Sequence, residues 1–196
     1  MGKLYERIDE RLRAFIAAQP MFFVATAPAA GGHVNVSPKG YRDTFAILDD
    51  LTVAYLDLYG SGSETIAHLR DNGRITIMFC SFDRQPKILR LYGSGRVVRP
   101  DAPERASLIG RFGGHPGTRA IIVVDVERIA DSCGYSVPFM ELAGERPLLD
   151  DQHGRRAPEE WPPRVKRNVA SIDGLPALEP DHPAPSSPGV SAPAEA

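Results

Sequence analysis

Apolar residues recur at intervals of three and four over the first sixteen positions, and charged residues separate them. This spacing is typical of an amphipathic helix with one buried face. The residues of that face are Leu4, Ile8, Leu12, Phe15 and Ile16. Pro20 cannot continue a helix, because its ring blocks the helical hydrogen bond, so we expect the helix to end before it.

Seven later segments have the pattern of β-strands, with β-branched and aromatic residues in apolar runs or in alternation with polar residues. They are 21–27, 33–37, 45–48, 51–58, 75–82, 87–98 and 120–126. Short turns join most neighbouring segments, as in hairpins, and helices do not alternate regularly with them. The pattern therefore predicts a mainly β fold with flanking helices, namely a six- or seven-stranded antiparallel barrel.

The stretch 60–73, GSGSETIAHLRDNG, predicts a short helix that follows a turn rich in Gly and Ser. The first amides of a helix lack partners within it, and small residues let a phosphate approach them. Ser61 and Glu64 have the spacing of a capping box, although Ser63 competes as the N-cap. The turn, with Ser61, Gly62 and Ser63, is therefore a candidate anion-binding site.

The segment HVNVSPKG alternates in polarity, so that Val34 and Val36 face one side of a strand while Asn35 and Ser37 face the other. Lys39 continues the polar side if the chain stays extended. Two interpretations remain open. The segment is either a half-exposed strand that ends in a turn, or a row of hydrogen-bonding groups and a cation that line a ligand groove.

Composition limits the possible partners and the cellular location of the protein. The chain has 196 residues, 42% of them hydrophobic, which suits one domain with appendages. A net charge of -2 gives no general reason to expect nucleic acid or an anionic membrane as partner. With no apparent secretory signal or membrane span, we expect a cytoplasmic protein in which Cys80 and Cys133 are reduced.

We divide the chain into four parts. We expect residues 1–19 to form the N-terminal helix, 20–128 the barrel, 129–178 a segment that packs on the barrel, and 179–196 a disordered tail rich in Pro and Ala. No Ser, His and acid set occurs in a recognisable context, and the five histidines have no metal-ligand spacing. Cys80, within an apolar strand, fits a core thiol better than a nucleophile.

The order of these segments resembles that of the pyridoxamine 5'-phosphate oxidase-like, FMN-binding split-barrel family. The motifs that carry the resemblance are FFVATA, HVNVSPKG, DDLTVAYLDL, GSGSETIAHLRDNG followed by RITIMFC, and ILRLYGSGRVV. They cover roughly Met21 to Val126. The resemblance implies a split barrel that binds FMN non-covalently and oxidises or reduces a small-molecule substrate. It also implies a homodimer with the flavin in a cleft between the subunits.

The resemblance further implies positions for the flavin phosphate. Lys39 matches a phosphate-binding lysine at the end of the second strand, and Ser63 and Thr65 match the start of the helix after the fourth strand. Glu64 and Thr65 occur where the oxidases proper have Arg and Lys, which argues against specific pyridoxamine 5'-phosphate oxidation. The candidate cofactor-binding residues are Asn35, Ser37, Lys39, Ser61, Gly62, Ser63, Thr65 and Arg90.

Several alternatives stay open at this point. Cys133 and Tyr135, in the loop SCGYSVP, are substrate-side candidates if that loop closes over the cleft, and otherwise belong to an ordinary packed loop. The cofactor is FMN in the main hypothesis and a deazaflavin in the second. In the third hypothesis the protein is a non-catalytic binder of flavin or haem.

Overall fold

The computed structural model describes residues 2–179 and residue 183. The predicted disordered tail, 179–196, lies outside the described residues except for Glu179 and Pro183. Eight strands form one antiparallel sheet. They are β1 Leu4–Tyr5, β2 Phe22–Thr26, β3 Asn35–Lys39, β4 Phe45–Ile47, β5 Thr52–Leu58, β6 Arg74–Cys80, β7 Ile88–Val98 and β8 Thr118–Ser132.

The strand order is β3-β2-β6-β7-β8-β5-β4, and β1 pairs with β8. All seven predicted strands are present, and β1 is an additional strand of two residues. The sheet curls into a half-barrel, which confirms the predicted mainly β split barrel. Helices flank it: α1 Glu10–Ala18, α2 Glu64–Asn72, α3 Arg105–Leu108, α4 Leu148–Gly154 and α5 Trp161–Arg167. Among the described residues, none of the helices is long and apolar enough to cross a membrane.

The N-terminal helix is shorter than predicted. Asp9 is its N-cap and accepts a hydrogen bond from the Leu12 amide at 2.9 Å, so the helix begins at Glu10. Leu4 belongs instead to β1, where it pairs with Ala130 and is 55% exposed. The prediction of a helical Leu4 was therefore wrong. The buried members of the predicted face are Ile8, Leu12 and Ile16.

The long strand β8 packs on both of its faces, which explains its apolar sequence. One face belongs to the main core inside the half-barrel, together with Tyr55 and Val53 of β5. The other face, with Ile121 and Val123, packs against apolar side chains of and around α3. Strands that are covered on both sides require such continuous apolar runs.

The pairing of β7 with β8 is irregular at Gly93. The register shifts between Tyr92 and Gly93. A Cβ atom on Gly93 would lie 2.0 Å from the Asp125 carbonyl oxygen, so only glycine allows this approach. The shift is a β-bulge, as the Gly-Ser-Gly sequence indicates.

The last part of the described chain folds back onto the barrel. Trp161 and Val165 of α5 are buried in the main core. Residues 168–178, here called the strap, form a short turn in which the Ala177 amide donates to the Val169 carbonyl at 2.8 Å. Ala177 and Leu178 return to the main core. The strap thereby lies beside the start of α2.

Candidate functional site

An ion pair joins opposite sides of the curled sheet. Lys39 Nζ, at the end of β3, lies 3.1 Å from Asp57 Oδ1 on β5. Because β3 is one edge of the sheet and β5 is next to the other edge, the pair crosses the split of the barrel. Arg119, at the start of β8, donates from Nε to Asp57 Oδ2 at 2.5 Å. One fully buried carboxylate therefore holds two cations.

The two cations keep Asp57 ionised. Burial alone raises the pKa of this carboxyl group, but the charges of Arg119 and Lys39 and their hydrogen bonds outweigh burial and lower the pKa below its ordinary value. A buried carboxylate without such partners is costly, so the three side chains must be considered together. Their summed formal charge is one positive unit.

Arg119 extends this network to two other parts of the chain. Its Nη1 group donates to the Gly62 carbonyl at 2.8 Å and to Asn168 Oδ1 at 2.7 Å. Gly62 belongs to the turn before α2, and Asn168 is the first residue of the strap. The guanidinium group thus connects the candidate anion-binding turn, the strap and Asp57.

The start of α2 differs from the predicted capping box. Ser63 is the N-cap but makes no side-chain capping bond; its hydroxyl donates to the Ala170 carbonyl of the strap at 3.1 Å. Glu64 accepts from the Ile172 amide at 3.0 Å instead of bonding to the start of its own helix. The capping-box prediction for Ser61 and Glu64 was wrong, because Ser63 is the N-cap and the strap binds the Glu64 carboxylate. Ser61 and Gly62, which precede the helix, are exposed.

The polar face of β3 points towards α2. Ser37 Oγ donates to Asn35 Oδ1 at 3.1 Å, and Asn35 Nδ2 donates to Thr65 Oγ1 at 3.2 Å. The opposite face carries Val34 and Val36, which are 72% and 61% exposed. The predicted alternation is therefore present, but Asn35 and Thr65 already have protein partners.

A cavity of about 540 Å³ lies beside Lys39. Gly60, at the start of the candidate anion-binding turn, also lines it, and Arg146 supplies a second cation. Glu145, the acidic residue among its lining groups, accepts a hydrogen bond from the Arg42 amide at 3.0 Å. The apolar lining residues are Pro20, Met21, Pro38, Leu56, Leu58, Leu142 and Leu149.

A cluster centred on His115 supports one wall of the cavity. Tyr41, in the left-handed region at φ 54°, stacks on the His115 ring with a centroid distance of 4.8 Å. Its hydroxyl donates to the Arg146 carbonyl at 3.0 Å. The His115 ring nitrogens lie 2.8 Å from Asp150 Oδ2 and 3.0 Å from Asp43 Oδ1. These contacts attach the chain around Arg146 to the turn after β3.

Among the predicted site residues, all of which lie in the described part of the chain, Lys39 alone lines this cavity. Arg90 is on the face of β7 opposite to the main core, and its Nη1 donates to Ser132 Oγ at 2.9 Å. Cys133 is exposed, and Tyr135 is 83% exposed in the loop after β8. Their assignments stay predictions. Cys80 is buried, and burial raises the pKa of its thiol, as expected for a core residue.

Sequence reasoning missed several side chains of the cavity wall and of the ion-pair network that includes Lys39. They are Tyr41, Asp57, Arg119, Arg146 and Asn168. Two of them had a signal in the sequence, because Asp57 is the one acid within the apolar strand TVAYLDL and Arg119 directly precedes the apolar run AIIVVDV. A charged residue in such a strand needs a buried partner.

This protein has the architecture of the split-barrel class. Its antiparallel sheet is a curled half-barrel, with an apolar cavity and a lysine at the split. The family profile described as Pyridoxamine 5'-phosphate oxidase matches residues 8–133. The pyridoxamine 5'-phosphate oxidase family protein ustO of Aspergillus flavus is 41% identical over 195 residues, which cover 91% of this chain and 78% of ustO. The chain belongs to the pyridoxamine 5'-phosphate oxidase family.

Two solved structures are similar to part of this chain. A histidine-to-alanine variant of HupZ from Group A Streptococcus is similar with a TM-score of 0.51 and 27% identity, over 64% of this chain and 99% of that chain. An FMN-binding protein from Syntrophomonas wolfei is similar with a TM-score of 0.46 and 16% identity, over 61% of this chain and 82% of that chain.

Proposed function

We propose that this protein binds FMN non-covalently in the cavity beside Lys39 and is an oxidoreductase for a small-molecule substrate. The observation that carries the proposal is an apolar cavity of about 540 Å³ with an ammonium group in its wall. Cofactor pockets are typically about 300–1,000 Å³, mostly apolar, with a few polar groups that orient the ligand. Family membership independently supports a ligand of this kind.

The residues present fit the two chemical parts of FMN. Leu56, Leu142 and Leu149 offer apolar surface to a flat ring system. Lys39 and Arg146 offer positive charge to the phosphate, and Gly60, directly before the exposed Ser61 and Gly62, offers backbone at the same cavity. When bound, FMN supplies the hydride-transfer chemistry, while the protein binds, orients and shields the ring.

The proposal includes a homodimer. Val36 of the edge strand β3 and Val34, directly before the strand, are exposed, and pairing or packing against a second copy would cover them. Arg90, Cys133 and Tyr135 do not line the cavity of their own chain, so a second copy is the route by which they would approach a flavin. Light scattering after size-exclusion chromatography tests this point, and a monomer at micromolar concentration would contradict it.

The proposal also includes a cytoplasmic location. Cys80 and Cys133 are both free thiols, as is usual in reducing compartments. Fractionation of cells that express the chain from its own gene tests the location. Recovery of the protein outside the cytoplasmic fraction would contradict it.

Purification tests the cofactor directly. The protein should be yellow or should bind added FMN, and denaturation should release FMN that chromatography identifies. Reduction by NADH or NADPH, followed by reoxidation with a candidate acceptor, would support an enzyme. A released deazaflavin would replace FMN as the cofactor, and a haem absorption band with no flavin binding would favour a storage or sensing role.

A further inference from the structure

We propose that Asp57 and Arg119 are positioning residues that hold the two halves of the phosphate-binding site, Lys39 and the turn 60–62, in fixed relation to each other. This inference rests on the proposed function. It assigns a role to a buried ion pair that touches neither a catalytic group nor the cavity itself.

The first step is that each oxygen of the Asp57 carboxylate binds a different cation. Asp57 Oδ1 accepts from Lys39 Nζ at 3.1 Å, and Oδ2 accepts from Arg119 Nε at 2.5 Å. A lysine side chain has four rotatable bonds and loses much conformational entropy when its ammonium group is fixed. The ion pair with Asp57 restricts the Lys39 side chain already in the folded protein, so this entropy is lost before any ligand binds. Lys39 is consequently held at the cavity wall in advance.

The second step is the rigidity of Arg119. Its planar guanidinium group donates to Asp57 from one nitrogen and to the Gly62 carbonyl from another, the latter at 2.8 Å. Because the fork has a fixed geometry, the position of the Gly62 turn is tied to that of the carboxylate. Asn168 accepts from the same Nη1 at 2.7 Å and attaches the strap to the arrangement.

The third step is the location of the two ends of this chain of contacts. Lys39 lines the 540 Å³ cavity, and Gly62 is two residues from Gly60, which also lines it. Asp57 and Arg119 are 0% and 3% exposed behind it. A buried ion pair is often no more stabilising than apolar residues of the same volume, so stability alone gives little reason for it. Its contacts with Lys39, which lines the cavity, and with Gly62, in the turn that reaches the cavity at Gly60, give a functional reason.

The test compares FMN with riboflavin, which has the same ring system but no phosphate. In Asp57→Asn the amide cannot serve as counter-ion to both cations, so the affinity ratio of FMN to riboflavin should fall about tenfold, the ratio for one hydrogen bond to a charged group. Ile129→Ala, a control at a buried core residue away from the cavity, should destabilise the fold and leave the ratio unchanged. An unchanged or increased ratio in Asp57→Asn would overturn the proposal.

A double-mutant cycle shows whether Asp57 acts through Lys39. In the Lys39→Ala background, Asp57→Asn should lower the ratio much less than it does in the wild type. Equal effects in the two backgrounds would overturn the assignment. If Asp57→Asn does not fold, Asn168→Ala serves instead, because it removes one acceptor of Arg119 and keeps all three charges. It should lower the ratio in the same direction, and no change would count against the proposal.

A measurement without flavin separates this inference from the proposed function. Hydrogen exchange of the backbone amides at 59–63 should be faster in Asp57→Asn than in the wild type, while exchange in β7 stays the same. Unchanged exchange at 59–63 would overturn the positioning role. Failure of the wild-type protein to bind FMN would instead remove the proposed function, and the exchange result would still decide whether Asp57 holds the turn.

Discussion

Replacing Lys39 by alanine removes the ammonium group at the wall of the cavity and leaves the Asp57–Arg119 pair intact. A hydrogen bond to a charged group contributes about 1.5–3 kcal/mol. The Lys39 side chain is 20% exposed and forms an ion pair with Asp57. Screening by solvent and competition between Asp57 and the phosphate for the ammonium group therefore place the expected effect at the lower end of this range. We therefore predict that Lys39→Ala weakens FMN binding by about 1.5–2 kcal/mol, or about 10- to 30-fold in Kd.

Quenching of flavin fluorescence during titration measures this change. Lys87→Ala is the matched control, because Lys87 also has a carboxylate neighbour, Asp131 at 3.8 Å, but does not line the cavity. It should bind FMN like the wild type. Riboflavin should bind Lys39→Ala and the wild type almost equally. Unchanged FMN affinity, or an equal loss for riboflavin and FMN, would refute the assignment of Lys39 to the phosphate.

Three further predictions concern contacts around the cavity and the C-terminal region. Burial, and then the charges of nearby arginines, lower the pKa of His153 from 6.5 to about 4. Between these pH values the unfolded chain binds a proton that the folded chain does not, so the free energy of unfolding should fall by up to about 3 kcal/mol as pH decreases from 6.5 to 4. Denaturant titrations at several pH values measure this dependence, and His153→Gln should lack it. Gly117→Ala should lower the free energy of unfolding by about 1–3 kcal/mol, because its Cβ would lie 1.7 Å from His153 Nδ1; thermal melts within 1 °C of the wild type would contradict this. Glu64→Gln should change FMN affinity less than threefold, or less than about 0.7 kcal/mol, because an amide oxygen can still accept from the Ile172 amide; a larger gain in affinity would show that the carboxylate faces the phosphate.

Much of the fold could be predicted because the informative patterns are local. Strand positions follow from apolar runs and alternation, and Gly93 marks the bulge between β7 and β8. The predicted start of α1 was wrong because Leu4 and Ile8 have the spacing of a helix face although both precede the helix. The spacing does not show that Asp9 is the N-cap and that the helix begins at Glu10. The spacing of apolar residues does not locate the first residue of a helix unless the N-cap residue is also identified.

The candidate site was only partly predictable, because it depends on contacts between distant parts of the chain. Lys39 could be selected from the polarity of its strand, but its pairing with Asp57 depends on the curl of the sheet. The strap is more than 100 residues from Ser63 and Glu64 in sequence, so its hydrogen bonds to them have no local signal. The predicted anion-binding turn consequently keeps Ser61 and Gly62 exposed, while the side chains of Ser63 and Thr65 bond to protein groups.

Identification of the ligand that the purified full-length chain binds in the 540 Å³ cavity tests the central claim most directly. The protein should be titrated with FMN by fluorescence, and the bound ligand should be released by denaturation and identified by chromatography and mass spectrometry. We expect FMN to bind with a stoichiometry of one per chain and to be recovered unmodified, which would show non-covalent binding. A folded protein that neither contains FMN nor binds it when FMN is added would contradict the account.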